Sequence, residues 1–86
     1  MNPTEIKQAF EEKLGRNYAQ FVLSWLAMQP TELIEKAEEI AATKLMVELL
    51  PETASAEDME YLLRFTNPLE VVRDKWIEEN GSEMVH

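Results

Sequence analysis

Four glutamates close together in the chain are the residues best able to carry chemistry. The segment ELIEKAEEI, residues 32–40, holds Glu32, Glu35, Glu38 and Glu39. Carboxylates at this density could ligate a metal ion, transfer protons, imitate the phosphates of a nucleic acid, or keep one face of a helix in water. On a helix these four side chains point away from the apolar residues of the same segment. The pattern therefore favours a solvated acidic face, and nucleic-acid mimicry is the functional alternative.

The residue types that metal sites and nucleophilic catalysis need are nearly missing from the sequence. It contains no Cys, and its one His is His86, the last residue. A di-metal helical bundle needs Glu-x-x-His pairs that point inward, which this sequence cannot supply. It also has no glycine-rich phosphate loop and no calcium-binding loop. The sequence predicts a protein that is not an enzyme and that uses no cofactor or metal ion.

A second candidate site is apolar. Met46, Leu49 and Leu50 are three and four residues apart, on a side of the predicted helix that should be polar. Lys44 falls where the inner stripe of the same helix should continue, with Glu48 one turn beyond it. We expect a straight helix in which Lys44 partly covers the core and its ammonium group reaches outward to Glu48. The three apolar residues then form a candidate partner-binding patch. In the alternative arrangement the helix rotates, and they pack beneath the next helix.

The charge of the chain is strongly negative and unevenly placed. The net charge is −9, and residues 31–60 hold nine acidic residues against two basic ones. Such a field repels phosphate backbones and anionic membranes, so we expect neither as a direct partner, whereas a basic protein partner is allowed. The chain has no apolar run long enough for a signal peptide or a membrane span, which with the lack of Cys predicts a cytoplasmic protein.

Capping residues, prolines and a hydrophobic period near 3.6 residues predict an all-α fold. Asn2 can cap a first helix, and the same arrangement of asparagine and proline returns at Asn67. Ser55 is a third predicted cap, and Pro30 and Pro51 mark helix boundaries. The prediction is one helical domain, residues 1–86, built as a small bundle of three to four helices at about 3–28, 31–50, 56–65 and 68–80.

The first predicted helix carries the longest apolar stripe. The stripe keeps its phase across Gly15, which predicts one helix through that residue, although the glycine leaves a kink possible. From Tyr18 to Met28 apolar residues occur on nearly all sides, so we expect this half to be the buried centre of the domain. Trp25 and Trp76 are expected in the core. The residues of the stripe are Ile6, Phe10, Leu14, Tyr18, Phe21, Trp25 and Met28.

The layout FVLSWLAMQPTELIEKAEEI followed by MEYLLRFTNPLEVVRDKW resembles an uncharacterised family of small acidic helical domains from gut Firmicutes. The likeness covers most of residues 10–76 and consists of packing features: an aromatic residue before WL, then QP with acids, and a closing helix with PL and W. The resemblance implies a helical fold and an association with mobile elements, but no mechanism. One departure is ATKLM at residues 42–46, where the family tends toward an Arg–acid pair.

The predicted function is a non-enzymatic protein–protein interaction module, linked through the resemblance to mobile elements, that binds a protein partner or a second copy of itself. The alternative is an acidic inhibitor that mimics nucleic acid and occupies the cleft of a basic nucleic-acid-binding protein. It would use the acidic block from Glu32 to Glu60. Binding through apolar residues should survive added salt, whereas binding through displayed carboxylates should be lost as salt rises.

Overall fold

Apolar residues recur every three to four positions along most of the chain, and these segments form helices. The computed structural model describes residues 2–84, with side chains for residues 2–80, and no strand occurs within that range. The all-α prediction is confirmed, but the described residues form five helices rather than three to four. The helices are α1 (Pro3–Leu26), α2 (Pro30–Glu35), α3 (Ala37–Thr53), α4 (Ala56–Leu62) and α5 (Pro68–Met84).

The three predicted caps begin their helices as expected. In each case a side-chain oxygen accepts a hydrogen bond from a backbone N–H in the first turn, which has no partner within the helix. The distances are 2.9 Å from Glu5 N to Asn2 Oδ1, 3.2 Å from Asp58 N to Ser55 Oγ, and 3.0 Å from Glu70 N to Asn67 Oδ1. The starts of α1, α4 and α5 could therefore be read from local sequence.

The helix predicted at about 31–50 is divided into two. Lys36 ends α2 and precedes α3, with a backbone φ of −99° and ψ of 11°. No proline or glycine lies at this break, so local sequence carries no signal for it. At the other end, α3 continues past Pro51 to Thr53. A proline lacks the N–H that would bond four residues back, but so near the helix end this removes one hydrogen bond without stopping the chain from turning.

The remaining helix ends differ from the prediction by two to four residues. α1 passes through Gly15 without interruption and ends at Leu26 rather than at residue 28. α4 ends at Leu62 rather than at residue 65, and Lys13 of α1 donates a hydrogen bond of 3.0 Å from Nζ to the Leu63 carbonyl there. The predicted end of the last helix at residue 80 is wrong, because α5 continues to Met84. Residues 85 and 86, and with them His86, lie outside the described residues.

The core lies where α3, α4 and α5 pack against the first half of α1. The most extensive helix pair is α3 with α5, and α1 contacts all three of these helices. The buried apolar side chains at its centre are Ile6, Phe10, Leu14, Met46, Met59 and Leu69. Half-buried neighbours complete it, namely Tyr18, Phe21, Val47, Leu50, Ala54, Leu62, Leu63, Val72 and Trp76.

The second half of α1 is not the buried centre that its apolar sequence predicts. The last buried residue of α1 is Asn17, and beyond it Leu23 is 67% exposed and Leu26 is 77% exposed. Trp25 is half-buried and stacks on Phe21, with the ring centroids 6.0 Å apart, but it lies outside the core. The expectation of a fully buried centre here is wrong because the covering helices pack over the earlier half of α1.

Candidate functional site

A concave, mostly apolar cleft lies between α3, α4 and α5. Its volume is about 530 Å³, within the range of clefts that hold drug-sized ligands or the side chains of a peptide. Tyr61 and Val71 at its edge are 56% and 39% exposed. The side chains that line the cleft are Met46, Leu50, Thr53, Ala54, Asp58, Tyr61, Leu62, Val71, Val72, Lys75, Trp76 and Glu79.

Two of the three residues of the predicted apolar patch line this cleft. Leu50 is half-buried in its wall, and Met46 lies deeper, at 6% exposure, as a member of the core. The expectation that Met46 lies on the surface is therefore wrong. Leu49 is 41% exposed and does not line the cleft. The structure thus separates the predicted patch into a core residue, a cleft residue and an outer residue.

The orientation of α3 explains this separation. Lys44 and Glu48 are both exposed, so the expected straight helix with Lys44 over the core is wrong. The break at Lys36 lets α3 take a phase of its own, in which Ala42 and Thr43 are buried. The Thr43 hydroxyl, with no exposure to solvent, donates a 2.7 Å hydrogen bond to the carbonyl one turn back. The outcome agrees with the alternative arrangement for Met46 and Leu50, which turn toward α4 and α5, but not for Leu49, which stays outside.

The rim of the cleft is polar and carries more negative than positive charge. Asp58 and Glu79 are both exposed at its edge, together with Lys75. The helix α4, which forms one wall, holds three acidic residues and no basic one. An apolar interior with an acidic rim favours a ligand that is apolar on one side and basic at its margins.

The predicted acidic face is only partly solvated. Glu32 and Glu35 are exposed as expected, but Glu38 and Glu39 are half-buried. Glu38 Oε1 is buried and has no hydrogen-bond partner among the described residues. Glu39 instead forms ion pairs on both sides, at 3.5 Å with Lys36 and at 3.2 Å with Arg73 of α5. Two of the four carboxylates are therefore not free to be displayed like phosphates.

Arg73 of α5 is the charged residue that sequence reasoning missed. It is 5% exposed, and its guanidinium contacts Glu39 of α3 at 3.2 Å and the neighbouring Asp74 at 2.8 Å. Its Cζ lies 4.9 Å from the centroid of the Phe21 ring in α1, which places the cation over an aromatic face. A signal was present, because Arg73 is four residues after buried Leu69 on the inner side of a helix.

The described residues contain no group of three or more His, Cys, Asp or Glu side chains placed to hold a metal ion. No described helix has both the length and the apolar content needed to cross a membrane. Comparisons with protein-family models, with curated proteins and with solved structures give no match. The site must therefore be interpreted from its own shape and chemistry, and the resemblance to a Firmicutes family stays a prediction.

Proposed function

We propose that the protein is a non-enzymatic interaction module whose cleft between α3, α4 and α5 binds an amphipathic helix of a partner protein with basic residues at its margins. The observation that carries this proposal is the cleft itself, which has an apolar interior and an acidic rim. A helix laid in a groove anchors through residues one turn apart, and a volume of about 530 Å³ accommodates a few such side chains.

The residues of the cleft suit this kind of contact. Trp76 and Tyr61 offer large aromatic surfaces, which are common at the centres of protein interfaces. Met46 adds a flexible thioether at the base, and methionine adapts to partners of different shape. Asp58 and Glu79 at the rim would meet lysines or arginines of the partner, so charge steers the encounter while apolar burial supplies most of the affinity.

The proposal can be tested with a synthetic helix of about 18 leucine and lysine residues, whose leucines fall on one face. Trp25→Phe leaves Trp76 as the single tryptophan, so its fluorescence reports on the cleft directly. We expect saturable binding of one peptide per chain with a blue shift of the Trp76 emission. An analogue with glutamate in place of lysine should bind more weakly, because its charges repel Asp58 and Glu79 at the rim.

Leu50→Glu and Leu49→Glu form a matched pair for this experiment. The two changes are chemically identical and alter the net charge equally, but only Leu50 lines the cleft. We expect Leu50→Glu to weaken binding by at least about tenfold, and Leu49→Glu to leave it within about twofold. If Leu50→Glu loses helical circular dichroism, Val71→Glu replaces it, because Val71 is exposed and also lines the cleft. If Leu50→Glu and Leu49→Glu weaken peptide binding equally, the proposal is contradicted.

The alternative function, an acidic inhibitor that mimics nucleic acid, makes the opposite prediction. A basic partner held by displayed carboxylates would be released as salt rises and would be insensitive to Leu50→Glu. The ion pairing of Glu39 and the partial burial of Glu38 give this alternative less support.

A further inference from the structure

The second half of α1 exposes large apolar side chains that the fold leaves uncovered. Leu26 and Leu23 are 77% and 67% exposed, more than most other large apolar residues among the described side chains. They are three residues apart and so are neighbours on one face of the helix. By helical geometry this face lies roughly opposite Phe21, which packs against the core. We call residues 18–28 the α1 arm.

The α1 arm lies within the longest part of the sequence that has no charged residue. Between Arg16 and Glu32 there is no Asp, Glu, Lys, Arg or His, although 29% of the whole chain is charged. The exposed positions beside the leucines carry small or neutral residues, among them Ala19 and Ala27. This surface therefore differs from the acidic cleft, because it has no carboxylates to attract a basic partner.

We infer that the α1 arm is the contact surface between two copies of this chain. Each copy carries a net charge of −9, so two copies repel one another across most of their surfaces. A charge-free apolar face is the place where they can meet without bringing carboxylates together. An identical face on the second copy is also uncharged and apolar, so the surface is complementary to itself, as a two-fold interface requires.

The spacing along the α1 arm fits two helices packed side by side. Ala19, Leu23 and Leu26 follow one another by four and three residues, the spacing of a helix–helix seam. In an antiparallel pair Leu23 of one copy faces Leu26 of the other. The small side chains of Ala19 and Ala27 flank the leucines and let the two helices approach closely.

The proposed contact is small, so the dimer is weak and reversible. Two short helical faces bury less area than the roughly 1,200–2,000 Å² of stable protein complexes. We therefore expect a dissociation constant between about 10 µM and about 1 mM. Salt should strengthen the association, because it screens the repulsion between two acidic copies while leaving apolar contact in place. Binding at the cleft depends on Leu50 and not on Leu23 or Leu26, which do not line it, so either proposal can fail without the other.

Sedimentation velocity across that concentration range, at low salt and at about 1 M salt, tests the inference. We expect the average mass to rise toward twice the 10.0 kDa of one chain, with a larger rise at high salt. Leu26→Glu should remain monomeric, and Leu49→Glu, an equally charged change at another exposed leucine, should associate like the parent. Leu23→Glu is a second arm variant and should match Leu26→Glu. Circular dichroism confirms that each variant remains folded.

A parent chain that stays monomeric at the highest concentration and salt would overturn the inference. So would equal losses of association for Leu26→Glu and Leu49→Glu, since the contact would then not depend on the α1 arm. A parent that sediments with phosphatidylcholine vesicles but forms no dimer would also overturn it, because the apolar face would then serve a lipid surface.

Discussion

Gly15 lies in the middle of α1 although neither its backbone nor its surroundings require glycine. It has helical geometry without a positive φ, and a Cβ atom added there would meet no atom within 4 Å. Glycine in a helix is less favourable than alanine by about 0.5–1 kcal/mol, because the unfolded chain has more freedom to lose. We expect Gly15→Ala to raise the free energy of unfolding by that amount, measured by urea denaturation.

The control for this change is Gln20→Ala, at an exposed position of the same helix that already holds a good helix former. It should alter stability by less than about 0.5 kcal/mol. A destabilised Gly15→Ala variant would show that α1 is kinked at the glycine in solution.

Predictions about single residues were correct where the contact is made within a few residues along the chain. They were wrong where the outcome depends on helices that are distant in the sequence. Asn67 caps α5 because its side chain reaches a backbone N–H three residues away, a relation contained in the sequence itself. Met46 and Leu49 are both apolar, and their neighbours along the chain do not distinguish them. One is buried and the other exposed because of the direction in which α4 and α5 lie, which no local pattern specifies.

At the scale of elements, Arg73 holds three helices together. Its guanidinium lies over Phe21 of α1 and pairs with Glu39 of α3, while its own backbone belongs to α5. We expect Arg73→Met to lower the free energy of unfolding by about 1–3 kcal/mol, measured by urea denaturation. The loss stays below that of breaking a fully buried pair, because the side chain of Glu39 is 33% exposed and can be hydrated when it loses its partner.

Arg64→Met removes the same charge from an exposed position between α4 and α5 and serves as the control. It should change stability by less than about 0.5 kcal/mol. If the two variants unfold at the same urea concentration, the contacts of Arg73 contribute nothing measurable.

Element boundaries could be predicted where a capping residue sets them, but not where packing sets them, and Pro51 did not end α3. The starts of α1, α4 and α5 follow from capping residues. The break at Lys36 follows from no residue near it. The break changes the direction in which the side chains of α3 point. For that reason the continuous helix of the prediction puts the apolar patch on the wrong side of α3. The sequence thus predicted two residues of the cleft, Met46 and Leu50, as binding residues, but it did not predict the cleft itself.

At the scale of the whole molecule, acidic charge and apolar surface are separated. Residues 31–60 hold most of the excess carboxylates, while the α1 arm carries no charge. The order of residues along the chain predicts the sign of the charge and where it lies. It does not predict which apolar side chains are exposed to solvent, because the α1 arm has the same apolar pattern as a core helix.

The whole fold should be independent of divalent metal ions. No described cluster of acidic side chains is arranged to hold one, and Glu39 is already paired with Arg73. We expect an excess of EDTA to leave the melting temperature unchanged, with calcium or magnesium chloride added back as the control. A clear fall in melting temperature with EDTA, restored by one of these ions, would show that the carboxylates of residues 32–39 bind it.

The packing of α1 also has a consequence for how the chain is made. Phe10 is buried against a core that includes Leu69, which leaves the ribosome about 60 residues later. At roughly 5–20 residues per second, about 3–12 seconds pass between the synthesis of Phe10 in α1 and that of Leu69 in α5, which packs in the same core. During that time the apolar stripe of α1 is open to chaperones and to other nascent chains. A mutation that loosens α5 would therefore expose again the apolar stripe of α1, which is synthesised before α5.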